Sequence, residues 1–374
     1  MGLFQPVEPA IAPFAQRPII ILGAGIIGCA TARQLLLAGF QVTLVAEYLP
    51  GDQSILYASA WAGAAWHAAS GITPDQRYLQ AVTYRHLLKM AREEPESGVC
   101  IVKGLEYLEQ PPDKSSSIWG KTVLPNFRDL KQGEYPSNFS CGWSYETLVT
   151  NPTLHMPYLK KRITELGGQF VQQRVESLQE LYDMFPDARI FINASGWGSK
   201  LLSDVRDDKC FPERGQNVFF KTEDCNTMYF RNGKEYTYVI PRPQSHGVIL
   251  GGVKQADNLY VSHGHSQYSI YQMLNRNSSP EIDMDIARDE IARAHRLAPE
   301  VVPEKPSEDS LSYIVGIRPS RKGGFRLDSE KKGSRVVLSA YGFGGGGYAF
   351  SYGIADALVK MVEKAERENV IDIA

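Results

Sequence analysis

The sequence has little cysteine, no surplus of one charge and no long apolar segment. Its five cysteines are scattered, odd in number and without a C-x-x-C pair, which argues against a disulfide scaffold or a structural zinc site. The formal net charge of −2 favours neither nucleic acid nor an anionic membrane as a partner. Its apolar runs are too short to cross a bilayer, and residues 1 to 17 lack the apolar core of a signal peptide. We therefore expect a soluble intracellular protein without a metal site.

The composition and length are those of an ordinary globular protein. Hydrophobic residues make up 43% of the chain and charged residues 22%, proportions typical of folded domains. A chain of 374 residues can bury a large core and predicts two domains.

Residues 17–47 predict a strand, a glycine-rich turn, a helix and a second strand. Ile19–Leu22 form a short apolar run, and the hexapeptide after them has the form G-x-G-x-x-G: Gly23, Ala24, Gly25, Ile26, Ile27 and Gly28. Such glycines permit a tight turn, let a pyrophosphate approach the backbone and allow helix and strand to pack. Glu47 comes 19 residues after Gly28, where a carboxylate accepts hydrogen bonds from a ribose diol. The segment predicts dinucleotide binding; a turn without function is the alternative.

Two other segments favour a flavin over a nicotinamide, a choice that the turn leaves open. Residues 57–70 are small, apolar and aromatic, which suits backbone amides that crowd against a flat ring. Residues 341–353 place Gly344–Gly347 before an apolar helical stretch that reaches about Ala365. Bare amides at a helix N-terminus form an electron-poor site, which suits the N1–C2=O locus of a reduced flavin. A flexible hinge is the alternative for the four glycines.

Other local patterns predict individual elements. Residues 74–95 predict a helical insertion, and Asn151-Pro152 predicts the start of a helix that runs towards Gly167. Residues 236–241 and 247–251 alternate as antiparallel strands do. In Gly316-Ile317-Arg318-Pro319, a guanidinium ends an apolar run, and burying it is costly unless an anion meets it. The residues alone leave open whether that anion is an internal carboxylate or a ligand.

Motifs along nearly the whole chain resemble those of the D-amino-acid oxidase family, FAD enzymes that include D-aspartate oxidase. The family implies an α/β fold with a discontinuous Rossmann-like FAD-binding domain and a β-rich α+β substrate-binding domain. The matching segments are ILGAGIIG (21–28), ASAWAGAAW (58–66), RVESL (174–178), NASGWGS (193–199), ERGQ (213–216), YVIPR (238–242), GIRPSR (316–321) and YGFGGGGY (341–348).

The resemblance also implies how the chain is organised. The FAD-binding domain is expected in residues 18–72, 150–210 and 316–368, and the substrate-binding and oligomerisation domain in 73–149 and 211–315. A homo-oligomer and a peroxisomal location are implied as well, although the sequence ends in Val-Ile-Asp-Ile-Ala and shows no Ser-Lys-Leu tripeptide.

The cofactor residues implied by the resemblance come from several segments. They are the six residues of the glycine-rich turn, Glu47 at the end of the second strand, and Ser59, Ala62, Gly63, Ala64, Val175, Ser195, Gly196, Trp197, Gly344, Gly345, Gly346, Gly347, Tyr348 and Ala349.

The resemblance assigns the reacting centre to Arg318, Tyr238 and Gly345. Arg318 takes the substrate α-carboxylate through a bidentate fork, and the Tyr238 hydroxyl adds a hydrogen bond to the same group. The Cα–H bond is then aimed at flavin N5, which accepts a hydride. The imino acid hydrolyses to a 2-oxo acid and ammonia, while dioxygen reoxidises the flavin and gives hydrogen peroxide.

Three residues bear on the substrate side chain. Arg231 stands seven residues before Tyr238, and Lys254 follows a Gly-Gly strand end; arginines at these positions are associated with acidic substrates in the family's D-aspartate oxidases. His67 could add a donor. This pattern favours an oxidase that turns D-aspartate, dioxygen and water into oxaloacetate, ammonia and hydrogen peroxide.

Other readings stay open. If the two cations are solvated surface charges, neutral D-amino acids are the expected substrates. A sarcosine- or glycine-type amine oxidase is disfavoured by GIRPSR preceding YGFGGGGY. A nucleotide-sensing scaffold would leave Arg318 and Tyr238 unexplained.

Overall fold

The computed structural model describes residues 17–69, 71–111, 118–223, 225–253, 255–256 and 282–371. Helices and strands in these ranges build two sheets with helices packed around them. The helices are α1 (Ile26–Leu37), α2 (Pro74–Glu93), α3 (Ile118–Val123), α4 (Pro152–Glu165), α5 (Leu178–Met184), α6 (Met284–Leu297) and α7 (Gly347–Ile371).

The strands of the two sheets interleave along the chain. They are β1 (Ile19–Leu22), β2 (Val42–Ala46), β3 (Val99–Leu108), β4 (Arg128–Asp129), β5 (Cys141–Thr150), β6 (Gln169–Gln172), β7 (Ile190–Asn193), β8 (Cys210–Lys221), β9 (Thr227–Asn232), β10 (Thr237–Arg242), β11 (Gly247–Gly251), β12 (Gln255–Ala256), β13 (Leu311–Arg321), β14 (Arg326–Lys332) and β15 (Arg335–Tyr341).

The first sheet has the strand order β14-β15-β7-β1-β2-β6. The strands from β15 to β6 run parallel, and β14 returns antiparallel to β15. All residues of β1, β2 and β7 are buried, as expected where helices cover both faces of a parallel sheet. The order places β1 between β7 and β2, so the glycine-rich turn opens at the carboxyl edge of the sheet, where such folds bind ligands.

The second sheet has the order β12-β8-β11-β10-β9-β3-β5-β4, with β13 paired along β8. One face carries side chains of Phe230 and Tyr238, which belong to the larger core. The opposite face carries Tyr229 and Val239, which pack in a separate cluster with residues of α6. Because strand side chains alternate between faces, neighbouring residues of β9 and β10 face different surroundings.

Local predictions of the elements are confirmed. Strand β1, the turn and α1 follow in the predicted order. Helix α4 begins at Pro152, where the Asn151 side chain accepts a hydrogen bond from the backbone N–H of Thr153. Helix α2 begins with a capping box between Thr73 and Gln76. The predicted strands at 236–241 and 247–251 correspond to β10 and β11.

The domain boundaries differ from the prediction at two places. Residues 316–321, expected in the FAD-binding domain, belong to β13, which pairs with β8 from Leu311↔Phe220 to Arg321↔Cys210. Helix α2, expected in the substrate domain, packs on α7: the Gly353 N–H donates to Thr83 Oγ1 at 2.9 Å, and His86 pairs with Asp356 at 3.0 Å. Both segments lie far in sequence from their partners, so local patterns could not assign them.

Among the described residues, no helix combines the length and apolar character that a membrane span needs. Within the same ranges, no group of His, Cys, Asp and Glu side chains could hold a metal ion.

Candidate active site

A cavity of about 550 Å³ is lined by residues of both sheets. On the side of the first sheet, every cofactor residue expected from the sequence lines it except Gly28. A Cβ atom on Gly28 would lie 1.9 Å from the carbonyl oxygen of Gly23. Gly28 therefore keeps α1 against the turn, which is the packing role that the motif predicts.

The glycine-rich turn fits a pyrophosphate group. Gly23 has a φ of +107°, and a Cβ there would lie 2.4 Å from the Ala194 carbonyl oxygen, so only glycine lets the turn pass β7. At the start of α1, the Ile26 N–H donates to Ser59 Oγ at 2.9 Å. The turn, Ser59 and the positive end of the α1 dipole together face the cavity.

Glu47 and the second glycine cluster occupy two other stretches of the cavity wall. The Glu47 carboxylate, at the end of β2, is 41% exposed and lies 3.8 Å from Arg174 Nη1. Gly344–Gly346 form a single turn before α7, and Gly344 has a φ of +54°. A carboxylate suits a ribose diol, and bare amides before a helix suit an electron-rich ring edge. These residues fit FAD.

Arg318 lies on β13 and lines the cavity. Its Nη1 donates to the carbonyl oxygen of Val253 at 2.8 Å and to Glu213 Oε1 at 3.3 Å. Glu213 is its direct neighbour on β8. An internal carboxylate, one of the two anions that the sequence left open, therefore meets Arg318. Both of these contacts use Nη1, and a guanidinium carries further N–H donors, which suit another anion.

Tyr238 lies beside Arg318 on the same wall. Its hydroxyl donates to Asn217 Oδ1 at 2.6 Å. Burial raises the pKa of the Tyr238 phenol, and the Arg318 charge opposes that rise, which shows how near the two groups are. Gly251 and Gly252 leave room for the ring, because a Cβ on either would lie within 2.6 Å of it.

Gly345 lies next to the Arg318 side chain. A Cβ on Gly345 would meet Arg318 Cδ at 3.9 Å, an ordinary contact distance. The glycine cluster expected to meet the flavin and the arginine expected to hold the substrate therefore border the same space.

Arg231 does not line the cavity, where its expected contact with the substrate side chain would place it. Arg231 pairs with Thr237 across β9 and β10, whereas Phe230 pairs with Tyr238. Directly opposed residues share a face, so Arg231 and Thr237 point away from the face of Tyr238. There the Arg231 guanidinium binds Glu109 at 2.6 Å and Glu235 at 2.7 Å.

The other two residues expected to contact the substrate side chain are Lys254 and His67. Lys254 lies outside the described residues. His67 lines the cavity, and its ring stacks on Phe230 with 4.4 Å between ring centroids. Its Nε2 lies 3.3 Å from Glu106 Oε2.

Sequence reasoning missed part of the wall on the second sheet. Asn217, Met228, Phe230 and Tyr236 line the cavity beside Tyr238. The period-two alternation of β9 was the available signal: it puts Met228 and Phe230 on one face and Arg231 on the other. Asn217 directly follows the ERGQ motif, but its contact with Tyr238 depends on how β8, β11 and β10 pair.

The cavity combines a glycine-rich turn of the first sheet, which suits a dinucleotide, with an arginine of the second sheet. This arrangement fits a flavin-dependent oxidoreductase. The family model "FAD dependent oxidoreductase" matches residues 18–361, and the chain belongs to that family. It is an FAD-dependent oxidoreductase of the D-amino-acid oxidase type.

Similar proteins agree with this assignment. A D-amino-acid oxidase of Schizosaccharomyces pombe is 31% identical over 91% of this chain and 94% of its own. A D-aspartate oxidase of Talaromyces thermophilus is 32% identical over 93% of this chain and 96% of its own. The solved structure of an L-α-glycerophosphate oxidase from Mycoplasma pneumoniae with FAD bound superimposes with a TM-score of 0.64 at 17% identity, covering 93% of this chain and 94% of that one.

Proposed function

We propose that the protein oxidises D-amino acids and that acidic D-amino acids, D-aspartate foremost, are its preferred substrates. The observation that carries the first part is the position of Arg318 and Tyr238 on the wall of the same cavity, with Gly345 in contact with Arg318. A planar guanidinium with a phenol beside it suits a carboxylate. The resemblance of this wall to the substrate site of the D-amino-acid oxidase family indicates that the carboxylate belongs to a D-amino acid.

The side chains of the site have positional roles. FAD, when bound, supplies the hydride acceptor and returns the electrons to dioxygen. Arg318 holds the α-carboxylate, and Tyr238 joins it by turning its hydroxyl proton from Asn217 to the same group. Together they fix the orientation of Cα. Phe230 and Tyr236 cover the space around Cα and exclude water. A substrate amine that enters neutral needs no side-chain base.

The preference for an acidic side chain rests on His67. Its ring lies in the same cavity as Arg318, and a protonated imidazole offers a charge-assisted hydrogen bond to a second carboxylate. The curated relatives include both a D-aspartate oxidase and a D-amino-acid oxidase, so family membership is compatible with either preference.

Neutral D-amino acids are the second candidate class. Two observations favour them: Arg231 points away from the cavity and is paired with two carboxylates, and Met228, Phe230 and Tyr236 give the wall an apolar and aromatic character. An apolar wall rewards the burial of an apolar side chain.

One substrate screen separates these possibilities. The purified protein, saturated with FAD, is assayed for hydrogen peroxide with D-aspartate, D-glutamate, D-alanine and sarcosine. We expect the largest kcat/KM for D-aspartate. A preference for D-alanine would replace the acidic proposal by the neutral one, and turnover of sarcosine alone would contradict D-amino-acid oxidation.

A further inference from the structure

Glu106 is a buried carboxylate directly behind the cavity wall. It lies on β3, is 4% exposed and shares a sheet face with Phe230, its partner on β9. Tyr145 donates its hydroxyl to Glu106 Oε2 at 3.1 Å, and Asn232 Nδ2 lies 3.5 Å from Oε1. Burying a carboxylate is costly unless it is well hydrogen-bonded or paired. The remaining contact of Glu106, with His67, therefore helps to offset the cost of burial.

The contact with Glu106 determines which nitrogen of His67 carries a proton. Glu106 Oε2 lies 3.3 Å from Nε2, and an ionised carboxylate can only accept hydrogen bonds, so Nε2 is the N–H. Nδ1 has no hydrogen-bond partner among the described residues, and it is not enclosed by protein atoms. When the ring is neutral, Nδ1 carries a lone pair; when the ring is protonated, Nδ1 becomes a donor.

We propose that Glu106 is a positioning residue that fixes the tautomer of His67 and thereby makes the preference for acidic substrates depend on pH. The protonated ring donates Nδ1–H to the distal carboxylate of D-aspartate. The neutral ring, held with its proton towards Glu106, presents a lone pair that disfavours the same carboxylate. This inference rests on the proposed oxidation of acidic D-amino acids.

The other titratable groups around His67 do not change their protonation state in the pH range in which a histidine titrates. Burial and the Glu106 carboxylate raise the pKa of Tyr145 on β5, and burial raises that of Tyr236 before β10, so both phenols stay neutral. Arg318 on β13 stays cationic and is paired with Glu213. Lys254 lies outside the described residues.

The test is the ratio of kcat/KM for D-aspartate to kcat/KM for D-alanine, measured with FAD-saturated enzyme from about pH 5.5 to 9. The side-chain carboxylate of the substrate stays ionised in this range, and the α-amino groups of the two substrates titrate alike. Their ionisation therefore cancels in the ratio. We expect the ratio to fall about tenfold or more as pH rises, in one single-proton step, because a charge-assisted hydrogen bond is lost.

Three variants assign the step to its residues. His67→Gln should give a ratio that no longer depends on pH. Glu106→Gln should flatten the step, because an amide no longer holds the proton of the neutral ring on Nε2, and Nδ1 can then donate at higher pH as well. Glu109→Gln, on the opposite face and paired with Arg231, is the matched control and should leave the curve unchanged.

Different failures are distinguishable. A ratio that favours D-aspartate equally at every pH would overturn the role of Glu106 and leave the proposed function in place. Oxidation of D-alanine without D-aspartate would overturn both. If Glu106→Gln does not fold, the curves of the unmodified protein and of His67→Gln still decide, because a pH step that survives in His67→Gln contradicts the proposal.

Discussion

Arg231 and Glu109 form an ion pair on the side of the second sheet that faces away from the cavity. The Nη2 of Arg231 lies 2.6 Å from Glu109 Oε1, and its Nε donates to the same oxygen at 2.8 Å. A hydrogen bond from the Lys234 backbone N–H and one from Arg231 lower the pKa of the Glu109 carboxyl. The pair therefore ties β9 to the end of β3 and leaves Arg231 a structural role.

Replacing Arg231 by Ala should lower stability without changing substrate preference. The ion pairs of a partly exposed arginine contribute about 1 kcal/mol, which urea unfolding of the variant and its parent would measure. The ratio of kcat/KM for D-aspartate to that for D-alanine should stay unchanged, whereas His67→Gln should change it. A selective loss of D-aspartate turnover in the Arg231 variant would show that the arginine reaches the substrate.

Arg231 also shows what sequence could and could not predict. The βαβ unit, the start of α4 at Asn151-Pro152 and the alternating strands β10 and β11 depend on neighbouring residues, and all three were predicted. The count of seven residues to Tyr238 gives the position of Arg231 along the hairpin but not the face. The face follows from the register in which Arg231 opposes Thr237, and Glu109 is 122 residues away in the chain.

The site shows the same division. The cofactor residues lie in turns after strands of the first sheet, where a local motif carries the information. Asn217 and Glu106 reach the site only through the pairing of distant strands, so no short segment predicts their place there. Glu213 belongs to the ERGQ segment, but its contact with Arg318 also depends on strand pairing. The placement of 316–321 in the second sheet has the same cause, because β13 finds β8 across about 100 residues of chain.

Replacing Arg318 by Ala should remove most of the activity and leave FAD bound. Loss of the α-carboxylate anchor should lower kcat/KM for D-aspartate by roughly 10³-fold or more, while the flavin absorbance of the purified variant persists. Glu213→Gln is the matched control, since it removes the internal carboxylate partner but keeps the arginine; its kcat/KM should stay within about tenfold of the parent. Near-normal turnover by Arg318→Ala would mean that Arg318 in the parent binds Glu213 and not the substrate carboxylate.

Replacing Glu47 by Ala should weaken FAD binding. The ribose diol loses an acceptor worth about 1–3 kcal/mol, so the Kd of the apoprotein for FAD should rise roughly 5- to 150-fold. Excess FAD in the assay should restore activity. The control is Glu165→Ala, at the exposed end of α4 and paired with Arg162, which should bind FAD normally. Equal FAD affinity of the Glu47 variant and its parent would contradict the assignment of the ribose to the end of β2.

Glu290 on α6 should make stability depend on pH. Its side chain is fully buried, and neither carboxylate oxygen has a hydrogen-bond partner in the part of the chain that the structure describes. Burial raises the pKa of this carboxyl from 4.5 to about 8, although the nearby Arg293 opposes the rise. In the folded protein it therefore keeps its proton over a pH range in which the unfolded chain releases it.

The sign of the pH effect follows from proton binding in the two states. Between about pH 4.5 and 8 the unfolded chain binds fewer protons at this position, so the free energy of unfolding falls as pH rises, by at most about 1.4 kcal/mol per pH unit. Glu290→Gln cannot release a proton and should lack this slope, so it should gain stability relative to its parent as pH rises through the window. Asp285→Asn, at the start of α6 and with a side chain that is 91% exposed, is the control and should keep the parent's slope. Urea unfolding at several pH values measures each slope, and parallel curves for Glu290→Gln and its parent would mean that Glu290 is ionised in the folded protein.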